Sequence, residues 1–269
     1  MPLLDLGFVR LGDGTRLRYR CLGDGGPTVL LLHGWPQTGH AWRHVLPTLA
    51  ASGYLCVAPD QRGAGDSDKP SGGYDAATRM EDVRELVFAL GLDDGPLFVV
   101  GHGAGGADAA GAYAALHPAE VSGVAFISAL PGNGPGSGWQ GGFHRTPDLP
   151  ELLIAPHADA YLRHFFRAWS HDPEMLPAAD RAVYVRALTE PGALRASLAP
   201  FRVPAAPPLP PLTVPCLLVL GESDPHASAV TPPPDVRIET IPRGGYWLPE
   251  ERPDPVAAAL LTFFREVTW

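Results

Sequence analysis

The 269-residue sequence predicts an α/β fold: a mostly parallel sheet with helices on both faces and a helical cap inserted after the sixth strand. Two features carry that expectation. Unbroken apolar runs of strand length, TVLLLHG (28–34) and LFVVG (97–101) among them, alternate with segments of helical period. A run without polar alternation suits a strand covered on both faces. Between residue 131 and about residue 214 the alternation stops, and only helical patterns remain.

The elements follow in order. FVRLGDGTRLRYRCLG (8–23) alternates apolar and basic residues around Gly12–Gly14, a hairpin signature. The buried strand at 28–34 leads to a helix carrying Ala41, Val45, Leu46 and Leu49, then to the strand YLCVAPD (54–60). The loop QRGAGDSDKP (61–70) precedes an amphipathic helix with Met80, Val83, Leu86, Val87 and Leu90. LFVVG is followed by an Ala-rich helix from Gly106 to Leu116 and by the strand VSGVAFIS (121–128). CLLVLGE (216–222), VRIETIP (236–242) and a closing helix near Pro255 to Val267 complete the pattern.

This divides the chain into a core, 1–130 and 215–269, and a cap, 131–214. The cap opens with PGNGPGSG (131–138), expected to be flexible. It continues through the helical ADAYLRHFFRAWS (158–170) and AADRAVYVRALT (178–189). It returns through VPAAPPLPPLTVP (203–215), expected to act as a semi-rigid strut.

Composition narrows the partners. A net charge of -9 argues against nucleic acid or an anionic membrane. No apolar run reaches the roughly 18–20 residues of a membrane span, and the N-terminus lacks the basic flank and apolar block of a secretory signal. Cys21, Cys56 and Cys216 each fall in an expected strand and read as buried thiols of a cytoplasmic protein. His40 and His44 have metal-ligand spacing without a Cys or carboxylate companion, so they read as a surface pair. No metal and no cofactor are expected, and a homodimer is left open.

VVGHGAGG (99–106) has the frame of a nucleophile elbow, G-x-Nu-x-G, with Gly103 where the attacking side chain belongs. It lacks the register of a dinucleotide loop. With HGWP (33–36), DQRGAGDSDKP (60–70), GESDP (221–225) and GGYWLPEERPD (244–254), it resembles the epoxide-hydrolase branch of the α/β-hydrolase superfamily over essentially the whole chain. In that family an elbow Asp attacks, a late His activates water, a carboxylate orients the His, and cap tyrosines hold the epoxide oxygen. The resemblance places Gly103 at the nucleophile, Tyr246 at the His and Asp224 at the carboxylate. It implies that a clamp tyrosine near Pro200 and Phe201 is missing, with Tyr161 and Tyr184 as remaining candidates. It also implies that the Trp35 and Ala104 backbone N–H groups survive as an oxyanion hole.

The losses have a chemical meaning. Glycine relaxes a turn that is strained for other residues. Tyr in place of His removes a base titrating near neutrality and supplies a phenol of pKa about 10. The late loop is expected to point Tyr246 towards Asp224. The remaining parts suit an enzyme that makes and reprotonates an enolate, by epimerisation, isomerisation or cyclisation, on a carbonyl-containing small molecule or modified peptide. Such a chain would be a pseudo-hydrolase of a natural-product pathway, similar in general type to the bottromycin peptide epimerase. Asp224 and Tyr246 are the expected catalytic pair, with a substrate carboxylate as an alternative base. His102, Trp139, Tyr161, Tyr184 and Trp247 are the expected pocket. The alternatives are a catalytically dead ligand-binding protein and an epoxide-hydrolase relative acting by direct water attack.

Overall fold

Every residue of Thr28–Leu32 and of Leu97–His102 is buried, which is why both runs are apolar almost throughout. In the computed structural model, which describes residues 5–132, 138–204, 208–233 and 236–267, these runs are central strands of one sheet. The strands are β1 (Asp5–Arg10), β2 (Arg16–Leu22), β3 (Thr28–Leu32), β4 (Leu55–Pro59), β5 (Leu97–His102), β6 (Gly123–Ile127), β7 (Cys216–Gly221) and β8 (Arg237–Ile241). Their order is β1-β2-β4-β3-β5-β6-β7-β8. Pairing from β4 through β8 is parallel, and only β1 and β2 run antiparallel to their neighbours. The basic face of the β1–β2 hairpin has a partner. Arg16, Arg18 and Arg20 meet Asp68, Asp66 and Asp60 at 3.2, 3.8 and 3.1 Å, fastening the loop after β4 to β2.

Helices α1 (Leu46–Ala51), α2 (Ala76–Ala89) and α3 (Gly103–Leu116) follow β3, β4 and β5. Between β6 and β7 lie α4 (Trp139–Arg145), α5 (Leu149–Ile154), α6 (Ala158–Ala168), α7 (Ala178–Thr189) and α8 (Ala193–Leu198). The chain closes with α9 (Leu248–Glu251) and α10 (Pro253–Glu266). Among the described residues no helix is long and apolar enough to cross a membrane.

Several expectations shift. The helix expected across Ala41–Leu49 is a single 3-10 turn, Gly39–Trp42, followed by α1. Thr38 caps the turn by accepting from the His40 N–H at 3.2 Å, and a proline in the first turn of α1 restarts the helix. Helix α3 begins at Gly103 rather than Gly106, so the strand passes straight into the helix at the elbow. Cys56 and Cys216 are buried, but Cys21 is only half-buried, on a strand near the sheet edge. Of the segments expected to be flexible or strut-like, residues 133–137 and 205–207 lie outside the described residues.

The inserted helices are joined to the core by apolar and ionic contacts. Leu162, Phe165, Phe166, Tyr184 and Leu198 share one apolar cluster with Tyr246 and Trp247 from the loop after β8. Below it, Arg43 bridges the buried Glu250 at 2.7 Å and Asp180 of α7 at 3.1 Å, and the Tyr184 hydroxyl also reaches Glu250. His40 joins this network through Asp180 at 2.9 Å, while His44 remains exposed. The expected surface pair is therefore split, one histidine serving the join between core and insert.

Close packing of α3 on the sheet depends on Gly106, where an added Cβ would lie 2.5 Å from the Leu32 carbonyl oxygen. Gly105 is different: a Cβ there would meet Arg79 Nη1 at 3.4 Å and the Trp35 backbone nitrogen at 3.9 Å, both ordinary contacts. Gly106→Ala should therefore destabilise the fold by about 1–3 kcal/mol, because two backbones must separate. Gly105→Ala should be neutral or slightly stabilising, through reduced backbone entropy in the unfolded chain. Chemical denaturation of both variants checks this, and equal effects would contradict it.

Candidate active site

Gly103 has φ +59, the left-handed region that costs an L-residue roughly 1–2 kcal/mol. A side chain at this position would also collide with the Tyr246 hydroxyl, which occupies the space of its Cβ. The phenol thus fills the space that a side chain at residue 103 would occupy. Its backbone holds it there. The Tyr246 N–H donates to the Trp169 carbonyl at 2.7 Å, and the Tyr246 carbonyl accepts from Ser128 Oγ at 2.9 Å and from His102 Nε2 at 2.8 Å. The Glu251 carboxylate accepts from the N–H groups of Gly245 and Trp247, both at 3.2 Å, and of His171 at 2.8 Å. One loop is pinned to the elbow, the sheet and the insert at once.

These contacts set the protonation states. Burial pulls His102 down to about 4, so its ring is neutral and Nε2 carries the proton it donates. Burial and the nearby Asp224 carboxylate push the Tyr246 phenol up, while a hydrogen bond from the Ala104 N–H opposes them. The phenol is therefore a neutral O–H donor whose oxygen receives the amide of the elbow helix. Asp224 is pushed up to about 6 by burial, against the lowering effect of the His226 backbone N–H, at 2.8 Å. Its Oδ2 has no hydrogen-bond partner among the described residues. The expected orientation of Tyr246 towards Asp224 gives no hydrogen bond, because the phenol is turned over the elbow instead.

Between the elbow and the inserted helices lies a cavity of about 430 Å³. Of the residues expected at the site, Trp35, Ala104 and Tyr246 form its wall. Gly103 lies beneath the phenol, and Asp224 stands behind the wall rather than in it. The residues expected to line the pocket do not. His102 is fully buried under the elbow, and Trp247 is buried with its Nε1–H donating to the Phe165 carbonyl at 3.2 Å. Tyr184 is turned to Glu250, and the Tyr161 hydroxyl pairs with His144 Nε2 at 2.5 Å. Trp139 is 63% exposed and stacks on the outer side of Phe165, with ring centroids 5.7 Å apart.

Among the wall residues that the sequence did not single out, two bear on the chemistry. His226 follows Pro225, one residue beyond the GESDP motif. Its ring packs edge-on against Trp169 at 4.7 Å and lies 5.5 Å from the Tyr246 ring. Burial holds it below the usual histidine value, so it is neutral near pH 7. Arg79, on α2, is 7% exposed and donates to the Gly105 carbonyl at 3.0 Å. Proximity of His226 to the acid motif was a usable signal. Arg79 carried none, because nothing in its spacing marks an arginine that faces inward.

Comparison with known proteins agrees with this architecture. The profile of the alpha/beta hydrolase family matches residues 29–259. The soluble epoxide hydrolase of Corynebacterium sp. (strain C12) is 32% identical, the alignment covering 94% of each chain. The ligand-free structure of epoxide hydrolase CorEH superposes with a TM-score of 0.85 at 30% identity, covering 99% of this chain and 100% of that one. Wild-type Cfl2 from Burkholderia cenocepacia gives the same TM-score and identity over 98% and 100%. With its profile matched over most of its length and relatives at this similarity, the chain belongs to the alpha/beta hydrolase family.

Proposed function

We propose that this chain is a non-hydrolytic member of the family, which moves a proton on a carbonyl-containing substrate held between the elbow and the inserted helices. The observation that carries this reading is the Tyr246 phenol seated over Gly103. The elbow carries no side chain at Gly103, and a hydroxyl donor stands over it.

The chemistry follows from the wall. A substrate carbonyl oxygen accepts from the Tyr246 O–H and the Trp35 N–H. The Ala104 N–H, donating to the phenol oxygen, polarises that O–H further. The neutral His226 imidazole takes the proton from the adjacent carbon, the charge moves to oxygen, and the proton returns to carbon on either face or at a conjugated position. No atom is gained or lost in the cycle. Asp224 is a positioning residue in this scheme: its Oδ1 accepts from the His226 backbone N–H at 2.8 Å and fixes the turn that presents the imidazole.

A second reading has support in the 32% identity to a protein named as a soluble epoxide hydrolase. Tyr246 would then donate to the epoxide oxygen while His226 activates a water, without a covalent intermediate. One experiment separates the two. Candidate substrates are incubated in deuterated water enriched in oxygen-18, and the products are analysed by mass. Proton-transfer chemistry places deuterium on one carbon and no oxygen-18. Hydrolysis places oxygen-18 in a diol with no carbon exchange. Neither label with a tightly bound ligand would leave a binding protein.

On the proton-transfer reading, Tyr246→Phe should slow exchange by about 10²–10³-fold, the cost of one oxyanion donor. His226→Gln should slow it by about 10²–10⁴-fold, the contribution of a positioned base. The wild-type rate should fall on acidification with a midpoint below the ordinary histidine value, because burial depresses the His226 value. Absence of that acid limb would contradict His226 as the base.

The raised value of Asp224 gives a separate test. A carboxyl whose folded-state value exceeds its unfolded one stabilises the fold below the unfolded value, and that stabilisation is lost as pH rises through the folded one. The window here runs from 3.8 to about 6. The Tm difference between wild type and Asp224→Asn should therefore shift in favour of the variant across this window and level off above it. A difference independent of pH would show that Asp224 is not desolvated.

A further inference from the structure

Among the described residues the cavity wall carries no lysine and no carboxylate, although the chain as a whole has a net charge of -9. The charged residues described there are the arginines Arg62 and Arg79. They differ in how far they are neutralised. Arg62 is saturated: Nε donates to Asp82 at 2.7 Å, and Nη2 meets Asp82 at 2.5 Å and Asp13 at 2.8 Å. Arg79 is not. Its carboxylate partner, Asp108, stands 3.8 Å from Nη2, beyond hydrogen-bond distance, and Nε has no partner among the described residues. Its firm contact is the neutral Gly105 carbonyl. Burial pulls its value below that of an ordinary arginine, and a guanidinium remains charged even so.

A buried cation on which carboxylates act only from a distance, Asp108 foremost and then Asp75 and Asp82, is costly unless an anion in direct contact completes the pairing. The place for that anion is next to the oxyanion donors. The side-chain position of Gly105 lies 3.4 Å from Arg79 Nη1 and 3.9 Å from the Trp35 backbone nitrogen, so both donors flank one glycine on the cavity wall. Because Gly105 has no side chain, the space between them is open to a ligand.

We infer that Arg79 is a substrate-binding residue and that the substrate is a carboxylate, its anionic group on the guanidinium and its reacting carbonyl on Tyr246 and Trp35. This deepens the proton-transfer reading and rests on the same cavity. The short spacing between the two subsites fits a carboxylate a few bonds from the carbonyl. Arg79 supplies ground-state binding and orientation, which confine the reacting carbon to the side of the cavity held by His226.

Binding can be tested without turnover. The probes are 3-phenylpropanoate and its uncharged amide, which share shape and an aromatic ring suited to the largely apolar wall. Calorimetric titration of the wild type should give an affinity for the acid at least tenfold above that for the amide, falling with added salt. Arg79→Met should abolish the preference, and Arg79→Lys should keep part of it. If Arg79→Met leaves Asp108 uncompensated and fails to fold, the double variant with Asp108→Asn replaces it. Equal affinities in the wild type, no binding of the acid at millimolar concentration, or a preference that survives removal of Arg79 would each overturn the inference. Deuterium exchange is a separate readout: charge-selective binding without exchange defeats the proton-transfer reading alone, and exchange without charge selectivity defeats the carboxylate alone.

Discussion

The mutual exclusion of an elbow side chain and the Tyr246 hydroxyl is the constraint on which the rest of the site depends. Gly103 leaves a space at the junction of β5 and α3, and the phenol fills it. A turn that would otherwise strain its residue is relaxed, and the hydroxyl receives the Ala104 amide without a nucleophile between them. Each residue makes the other tolerable. The Ala104 amide at the elbow accordingly points at a neutral phenol.

Precision of this kind needs a rigid loop. The loop after β8 receives hydrogen bonds from His102 and Ser128, donates to Trp169, and is gathered by the Glu251 carboxylate. Beneath it, the Arg43, Glu250 and Tyr184 network ties the inserted helices to the core. Such a buried network is worth little as raw stability. Its effect is to fix where α6 and α7 stand over the elbow, and so the width of the cavity.

Much of this was legible in the sequence, and the boundary has a physical cause. Strands whose neighbours bury both faces must be apolar throughout, so Thr28–Leu32 and Leu97–His102 announce themselves. The elbow frame fixed Gly103, and the expectation of backbone donors at Trp35 and Ala104 came from the family resemblance. Side-chain direction is another matter, because it is decided by contacts distant in sequence. Tyr246 turns to the elbow because 103 is a glycine. Trp139 stays outside because Phe165 already fills the inner layer. Trp247 and Tyr184 are drawn into the join between insert and core, not into the cavity. His226 and Arg79 reach the wall through a short turn and an inward helix face, neither of which has a residue pattern of its own.

The reciprocal fit at the elbow can be measured directly by a double-mutant cycle in folding stability. Gly103→Ala is made in the wild type and in the Tyr246→Phe background, where the hydroxyl is gone but the ring remains. Both backgrounds share the dihedral penalty, so the difference between them isolates the collision with the hydroxyl. The substitution should cost about 1–3 kcal/mol more in the wild type than in the Tyr246→Phe background. Equal costs in the two backgrounds would show that the phenol does not occupy the elbow's side-chain space, and the account of the site would fail with it.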